Sequence, residues 1–262
     1  MTQPHWPAER LWEQLSPLAP TISVEVVART GSTNTDLLER ARRGDTAPCL
    51  LVAEHQTAGR GRQGRGWQSA PGDSLTLSLG RPYAPREWSG LSLAVGVAVA
   101  EALHEQVKLK WPNDLWLVDD HGNGRKLGGI LIETLALPSG APDRYAVIGI
   151  GLNVGQPASP DDGRNRTAAL CELDGQLTAP TALARLALPL WQALQAFEID
   201  GFGPFVQRYA ARDLLCGRAV HTTQVDVPDG IAAGVDPHGA LLVHTAAGIR
   251  RIESGEVSVR PC

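Results

Sequence analysis

The chain of 262 residues is 43% apolar, 20% charged and only 5% aromatic, the balance of a globular protein with a sizeable buried core, and this excludes disordered, collagen-like and small disulfide-stapled classes. With 24 basic and 28 acidic residues the formal charge is −4, so contact with nucleic acid would need a local basic patch. The longest nearly uncharged apolar stretch, residues 91–100, closes at Glu101, far short of the roughly 20 residues of a membrane-spanning helix.

The N-terminal residues carry Glu9 and Glu13 where a secretory peptide would hold an apolar block, so a cytoplasmic protein is expected. Cys49, Cys171, Cys216 and Cys262 lie far apart with no C-x-x-C pair, and read as reduced, mostly buried thiols. Thr33 or Thr35 is placed to cap a helix carrying Leu37, Leu38 and Ala41, with Arg40, Arg42 and Arg43 at its negative end and Gly44 as its stop. Residues 49–53 read as a buried strand, and Leu75, Leu77 and Leu79 alternate with small polar residues as in a half-buried one. Residues 91–106 predict a buried Ala-rich helix, after which Val107, Leu109 and Trp111 recover a period of two. Residues 115–118, the turn HGNG and residues 127–133 predict a hairpin, followed by a strand over 145–154 and a surface loop over 155–163. Residues 181–199 have helical spacing, with Pro189 expected to kink or divide the helix, and residues 204–215 predict another helix. From residue 216 onward short β-like runs over 219–227, 231–235, 240–244 and 257–260 alternate with the turn signals PDG and DPHG. The expected fold is α+β: a larger domain over residues 1–215 and a small β-barrel over 216–262 that packs on it, because so small a core is marginal alone.

Three segments carry chemistry. Residues 56–67, QTAGRGRQGRGW, hold four glycines and three arginines, with no acidic residue between Glu54 and Asp73. Glycines let the backbone approach a ligand, and arginines offer planar forks for carboxylate or phosphate. On composition alone an anion-binding loop, a flexible exposed loop and an RNA contact stand level; the flanking strands favour an ordered loop. Residues 110–114, KWPND, put a lysine, an amide and a carboxylate around a Trp-Pro turn, where lysine suits phosphate and aspartate suits Mg²⁺. Spacing alone favours a structural turn with a buried tryptophan. Residues 125–132, RKLGGILI, carry one lysine into a strand whose paired glycines leave room for something lying across it, or else form a hairpin with an exposed lysine. Gly149, Gly151 and Gly155 follow a strand, but their spacing and the QPASPDD segment after them do not make a dinucleotide fingerprint; a P-loop and a G-x-S-x-G elbow are also lacking.

Taken together, residues 31–41 (GSTNTDLLERA), 53–67, 110–117 (KWPNDLWL), 125–133 and 148–154 (IGIGLNV) resemble the biotin protein ligases, in family order. The resemblance extends through GALLV (239–243) and SGEVSVR (254–260) to that family's SH3-like barrel. It implies a mixed-sheet catalytic domain of the class II synthetase type with a small C-terminal SH3-like β-barrel. The winged-helix DNA-binding domain of the bifunctional members has no counterpart before the catalytic motifs, so a monofunctional enzyme without a DNA partner is expected. The implied reaction joins biotin to ATP, giving biotinyl-5′-AMP and pyrophosphate, then passes biotin to a lysine of a biotin carboxyl carrier domain. ATP is thus the co-substrate with Mg²⁺ as its metal, and biotin the substrate, with no tightly bound prosthetic group. A homodimer pairing through an exposed sheet edge is compatible with the pattern.

By similarity, Ser32, Thr33, Asn34 and Gln56 face the biotin rings, Gly59, Arg60, Gly61 and Arg62 close over its carboxylate, and Gly128 and Gly129 lie beneath its tail. Lys126 serves the carboxylate and phosphate and is grouped with Arg62 and Lys110 as catalytic. The nucleotide falls to Arg60, Arg62, Arg65, Trp67, Lys110, Asn113, Asp114, Lys126 and Asn153, with Asp114 as the Mg²⁺ ligand. The family's adenine-side pattern is altered here at RTAAL, residues 166–170. The rival assignments are a lipoate or octanoate transferase of the same superfamily, a nucleic-acid-binding regulator and a biotin-binding protein without activity.

Overall fold

Leu75, Leu77 and Leu79 pack into the main core while the intervening Thr76 and Ser78 are buried on the opposite face, so one leucine-polar alternation defines both sides of a sheet. The computed structural model describes residues 5–138, 144–156, 166–224, 227, 229–253 and 260–261. Its larger part runs α1 (Ala8–Leu15), β1 (Ser23–Thr30), α2 (Thr33–Arg42), β2 (Cys49–Gln56), a short ribbon of β3 (Gly59–Arg60) and β4 (Gly66–Trp67), then β5 (Ser74–Tyr83) and α3 (Leu91–Leu103). Strands β6 (Lys108–Lys110), β7 (Asp114–Val118), β8 (Gly124–Ala136) and β9 (Arg144–Asn153) follow, then α4 (Ala179–Asp200) and α5 (Val206–Ala210). The smaller part holds β10 (Ala219–His221), β11 (Asp229–Val235), β12 (Leu241–Thr245), β13 (Gly248–Ile252) and β14 (Arg260–Pro261).

The larger sheet has seven strands in the order β1-β2-β5-β9-β8-β7-β6. Only its β1–β2 pair is parallel, so the sheet is mixed, as expected. Helices α3 and α4 cover one face, where Leu50, Val52, Ile148 and Ile150 join the leucines of β5. Helix α2 covers part of the other, packing Leu37, Leu38 and Ala41 on Leu51, Tyr145 and Val147. The smaller sheet, antiparallel in the order β13-β12-β11-β10-β14, agrees with an SH3-like unit, and its Val220, Leu241 and Val243 belong to the same core as α3 and α4.

Several local expectations change. Ser32, not Thr33 or Thr35, is the cap of α2, its Oγ accepting from Thr35 N at 3.5 Å. Helix α3 stops at Leu103, and the carbonyls of His104, Glu105 and Val107 accept from the Arg212 guanidinium at 3.2, 3.0 and 3.0 Å instead. Helix α4 stays one element through Pro189, because burial of Leu186, Leu190 and Trp191 outweighs the missing N–H. The helix expected over 204–215 shrinks to a 3-10 turn (Gly203–Phe205) and the five residues of α5. Beyond it the chain bonds to β6, with Leu109 N donating to Arg212 O and Leu214 N to Leu109 O, both at 2.8 Å. Elements α1, β1 and β13 were not anticipated. Most of the 155–163 loop and of the 257–260 run, and Cys262, lie outside the described residues.

Candidate active site

The site is built on a floor of small residues. Thr76 pairs with Gly151, Gly151 with Gly129 and Gly129 with Asp114, one row across β5, β9, β8 and β7; Ser78, Gly149 and Leu131 form the next. A Cβ at Gly149 would collide with Asn34 Oδ1, and one at Gly151 with the Trp67 ring, so the two glycines let α2 and the β4 ribbon close down on the sheet. The β7–β8 pairing matches Leu115 with Gly128 and Trp116 with Lys126, skipping Leu127. That bulge reverses the alternation of β8: Leu127 enters the core, while Lys126 and Gly129 come to one face, with Lys126 Nζ 3.6 Å from where a Gly129 Cβ would sit.

One half of the floor carries a buried polar cluster. Gln56 Oε1 accepts from Thr33 N at 2.8 Å and from Thr33 Oγ1 at 3.1 Å. The Ser78 hydroxyl lies 2.6 Å from both Thr33 Oγ1 and Asn34 Oδ1, and Asn34 Nδ2 donates to Glu133 Oε2 at 2.9 Å and Leu131 O at 3.2 Å. Ser32, Thr33, Asn34, Gln56 and Ser78 are all buried. Such fixed amides and hydroxyls suit a neutral ligand with several donors and acceptors. Sequence reasoning assembled Ser32, Thr33, Asn34 and Gln56 but missed Ser78 and Glu133. The signal for Ser78 was its polar place between Leu77 and Leu79 in a strand whose other face is fully buried.

The other half is cationic. Lys126 Nζ lies 2.8 Å from Asp114 Oδ1, and Arg62 donates to Asn113 Oδ1 at 3.2 Å. Asn113 is itself fixed to β8, donating from Nδ2 to Ile130 O at 2.7 Å while its carbonyl accepts from Ile130 N at 3.0 Å. Burial pulls the Arg62 guanidinium below its ordinary value; the Asp114 charge opposes this and Arg65 adds to it. Arg62 keeps its charge, as arginine does in proteins, so two cations share one carboxylate and an anion is welcome between them.

The glycine-rich loop spans both halves: Arg60 pairs with Glu133 and donates to Thr35 Oγ1 at 3.3 Å, while Arg62, two residues on, joins the cationic half. Gly59 pairs with Trp67 in the ribbon, and Gly61 N donates to Arg65 O at 2.7 Å. Arg65 is exposed and donates to Gln63 Oε1 at 3.2 Å. Gly128 is buried where β8 closes on β9, and Trp67 stands on the floor with its Nε1 buried and unpartnered. Asn153 Nδ2 donates to Ala168 O at 3.0 Å, tying β9 to the 166–168 segment that also bonds to Lys126. Lys110 heads the KWPND turn, but it is buried and its ammonium lies 4.2 Å from the Trp116 ring centroid.

Asp114 Oδ1 is paired with Lys126, and among the described residues no group of three His, Cys, Asp or Glu side chains is placed to hold an ion. No described helix is long and apolar enough to cross a membrane.

Residues 26–153 match the Biotin/lipoate A/B protein ligase family, and residues 215–260 the Biotin protein ligase C terminal domain. The chain is 36% identical to the bifunctional ligase/repressor BirA of Salmonella typhimurium, covering 97% of this chain and 78% of that protein. It is also 36% identical to the biotin--[acetyl-CoA-carboxylase] ligase of Mycobacterium tuberculosis, covering 89% and 88% of the two. The structure superposes on the biotin protein ligase of Aquifex aeolicus in complex with biotin and ATP with a TM-score of 0.75 at 29% identity, over 91% of this chain and 99% of that one. With this coverage, and both matched regions in their order, the chain belongs to the biotin protein ligases and is a ligase.

Proposed function

We propose that this chain activates biotin with ATP to biotinyl-5′-AMP and then biotinylates a lysine of a biotin carboxyl carrier domain. The observation that carries the reading is the joining, by one glycine-rich loop, of a neutral donor-acceptor pocket to a cationic cluster on one floor. Biotin has these two ends: a ureido ring that both donates and accepts, and a valeryl carboxylate that must meet a phosphate.

Ser32, Thr33, Asn34 and Gln56, with Ser78, take the ring. Gly128 and Gly129 pass beneath the tail, with Gly59, Arg60, Gly61 and Arg62 closing over the carboxylate. That carboxylate attacks the α-phosphorus of ATP and the bond to pyrophosphate breaks, the leaving oxygen keeping the pair. Lys126 and Arg62 neutralise the charge gathering on the phosphorus oxygens, so positioning and electrostatics supply the catalysis. Trp67, Lys110, Asn113, Asp114 and Asn153, with Arg65 at the loop's outer edge, line the nucleotide end. Mg²⁺ arrives on the ATP phosphates as part of that substrate; Asp114 offers it one carboxylate oxygen. In the second step the free amine of the acceptor lysine attacks the anhydride carbon, AMP leaves with the bonding pair, and the amine sheds its proton to give the amide.

We assign the adenylating site to residues 1–215 and a second unit to 216–262. The free thiols Cys49, Cys171 and Cys216 suit a reducing compartment such as the cytoplasm. The test is intact-mass spectrometry of a biotin carboxyl carrier domain and a lipoyl domain incubated together with the chain, Mg-ATP, biotin and lipoate. The expected result is an ATP-dependent gain of one biotin on the carrier domain alone. A lipoyl adduct moves the assignment to the sister family, and no adduct on either domain removes it.

A further inference from the structure

We propose that Glu133 is a positioning residue for biotin binding, acting through Arg60; this rests on the reading above. Glu133 sits on β8 one row beyond Leu131 and uses its two oxygens on two different elements. Oε1 pairs with Arg60 of the glycine-rich loop, and Oε2 accepts from Asn34 Nδ2 of α2 at 2.9 Å. From Asn34 the chain of bonds continues through the Ser78 hydroxyl to Thr33, whose main-chain N–H donates to Gln56 Oε1. One carboxylate is therefore the junction between the loop arginine and the whole polar pocket.

The geometry gives each arm a separate task. The Asn34 arm fixes an amide whose Nδ2 is held by Glu133 and Leu131 O, which turns Oδ1 toward Ser78. The Arg60 arm restrains a long side chain that is 47% exposed and leaves a loop rich in glycine. Restraint before binding lowers the entropy lost when the guanidinium meets an anion. A guanidinium has five N–H donors, and here Glu133 and Thr35 are the acceptors, so it receives a carboxylate without giving up the pair.

The experiment is a double-mutant cycle on the full chain, reading the equilibrium dissociation constant of biotin by titration calorimetry for wild type, Glu133→Gln, Arg60→Ala and the double variant. Glutamine keeps an oxygen for Asn34 and puts an uncharged amide NH₂, a donor that cannot accept from Arg60, in place of Oε1. The expected result is a loss of about fivefold in affinity for Glu133→Gln in the wild-type background, the scale of a partly exposed ion pair, and a change of less than about twofold once Arg60 is alanine. A general loosening of the fold lowers affinity alike in both backgrounds and cancels in the cycle. Equal losses in the two backgrounds, or a Glu133→Gln variant that binds as tightly as wild type, overturn the role of Glu133. A wild-type chain that does not bind biotin overturns the proposed function and this inference with it.

Discussion

Trp111 and Gly239 are joined by a 3.0 Å hydrogen bond from the indole Nε1 to the main-chain carbonyl, tying the KWPND turn to the smaller sheet. The same turn is held from α3, where Ser92 Oγ donates to Pro112 O at 2.8 Å, and from β8 through Asn113. The placement of Asn113 and Asp114 thus depends on three tethers, one of them from the C-terminal unit.

Trp111→Phe removes the donor together with one ring of a fully buried side chain, so the loss of the Gly239 carbonyl's partner, about 1–3 kcal/mol, is joined by the cost of a cavity. Gly239→Ala is expected to destabilise as well. Its φ is +82°, and a Cβ there would lie 2.6 Å from the Gly90 Cα, with backbone that cannot give way. Urea unfolding checks both; either variant as stable as wild type contradicts the tether.

Asp213 makes the stability of the chain pH-dependent. Burial pushes its carboxyl above the usual carboxylate range, against the backbone N–H groups of Leu215 and Cys216, and its Oδ2 is buried and unpartnered. The folded state therefore holds this proton more tightly than the unfolded one. That stabilisation is complete below the ordinary carboxylate value and is lost as pH rises through the raised folded value. Asp213→Asn keeps an oxygen for the Leu215 N–H and abolishes the titration. It is expected to gain stability relative to wild type as pH rises from 4 to 7, and parallel unfolding curves across that range would count against a raised Asp213 carboxyl.

The segments behind the proposed site are local in sequence, a helix start at 33–35, a glycine-arginine loop, a Trp-Pro turn and a lysine before paired glycines, and their roles follow from the family resemblance rather than from spacing. What was not legible depends on pairing across the sheet. Ser78 is polar for the sake of Thr33 and Asn34, more than forty residues away, and the bulge that swings Lys126 onto the site face leaves no mark in RKLGG. Edge strands escaped for a related reason. In β1 the alternation of Ser23, Val24, Glu25 and Val26 breaks at Val27 and Ala28, and in β13 Arg250 and Arg251 interrupt the apolar pattern, so neither sustains a period of two. The 204–215 helix failed because its last residues gain more from bonding to β6 than from continuing a short helix.

Arg62→Gly is expected to weaken retention of the adenylate, so that reactive biotinyl-AMP escapes and labels bystander lysines. The substitution takes away the guanidinium that bonds Asn113 and faces Asp114, and it adds a fifth glycine to residues 56–67, which already hold four. Mass spectrometry of an unrelated lysine-rich protein incubated with the variant, biotin and ATP reads the leak. Labelling as selective as that of wild type argues against Arg62 as the closing residue.

Lys126→Ala separates charge from architecture at the centre of the site. The ion pair with Asp114 is largely buried, the two side chains 25% and 21% exposed, so its loss costs the fold some stability, which the Arg62 charge facing Asp114 partly offsets. The main chain of residue 126 bonds to Arg166 and Ala168 regardless of its side chain, so the 166–168 segment stays in place. At the reacting phosphorus the situation differs, because a preorganised cation there acts on charge that develops only in the transition state. Its removal is expected to lower biotin-dependent pyrophosphate release by roughly 10²–10³-fold, with biotin binding changed far less, since the polar cluster of Thr33, Asn34, Gln56 and Ser78 that we propose for the ring is untouched. Lys126→Arg restores the charge but not its compact shape, and should recover only part of the rate. If Lys126→Ala releases pyrophosphate at the wild-type rate, the catalytic charge belongs to another group, and Arg62 is the first to test.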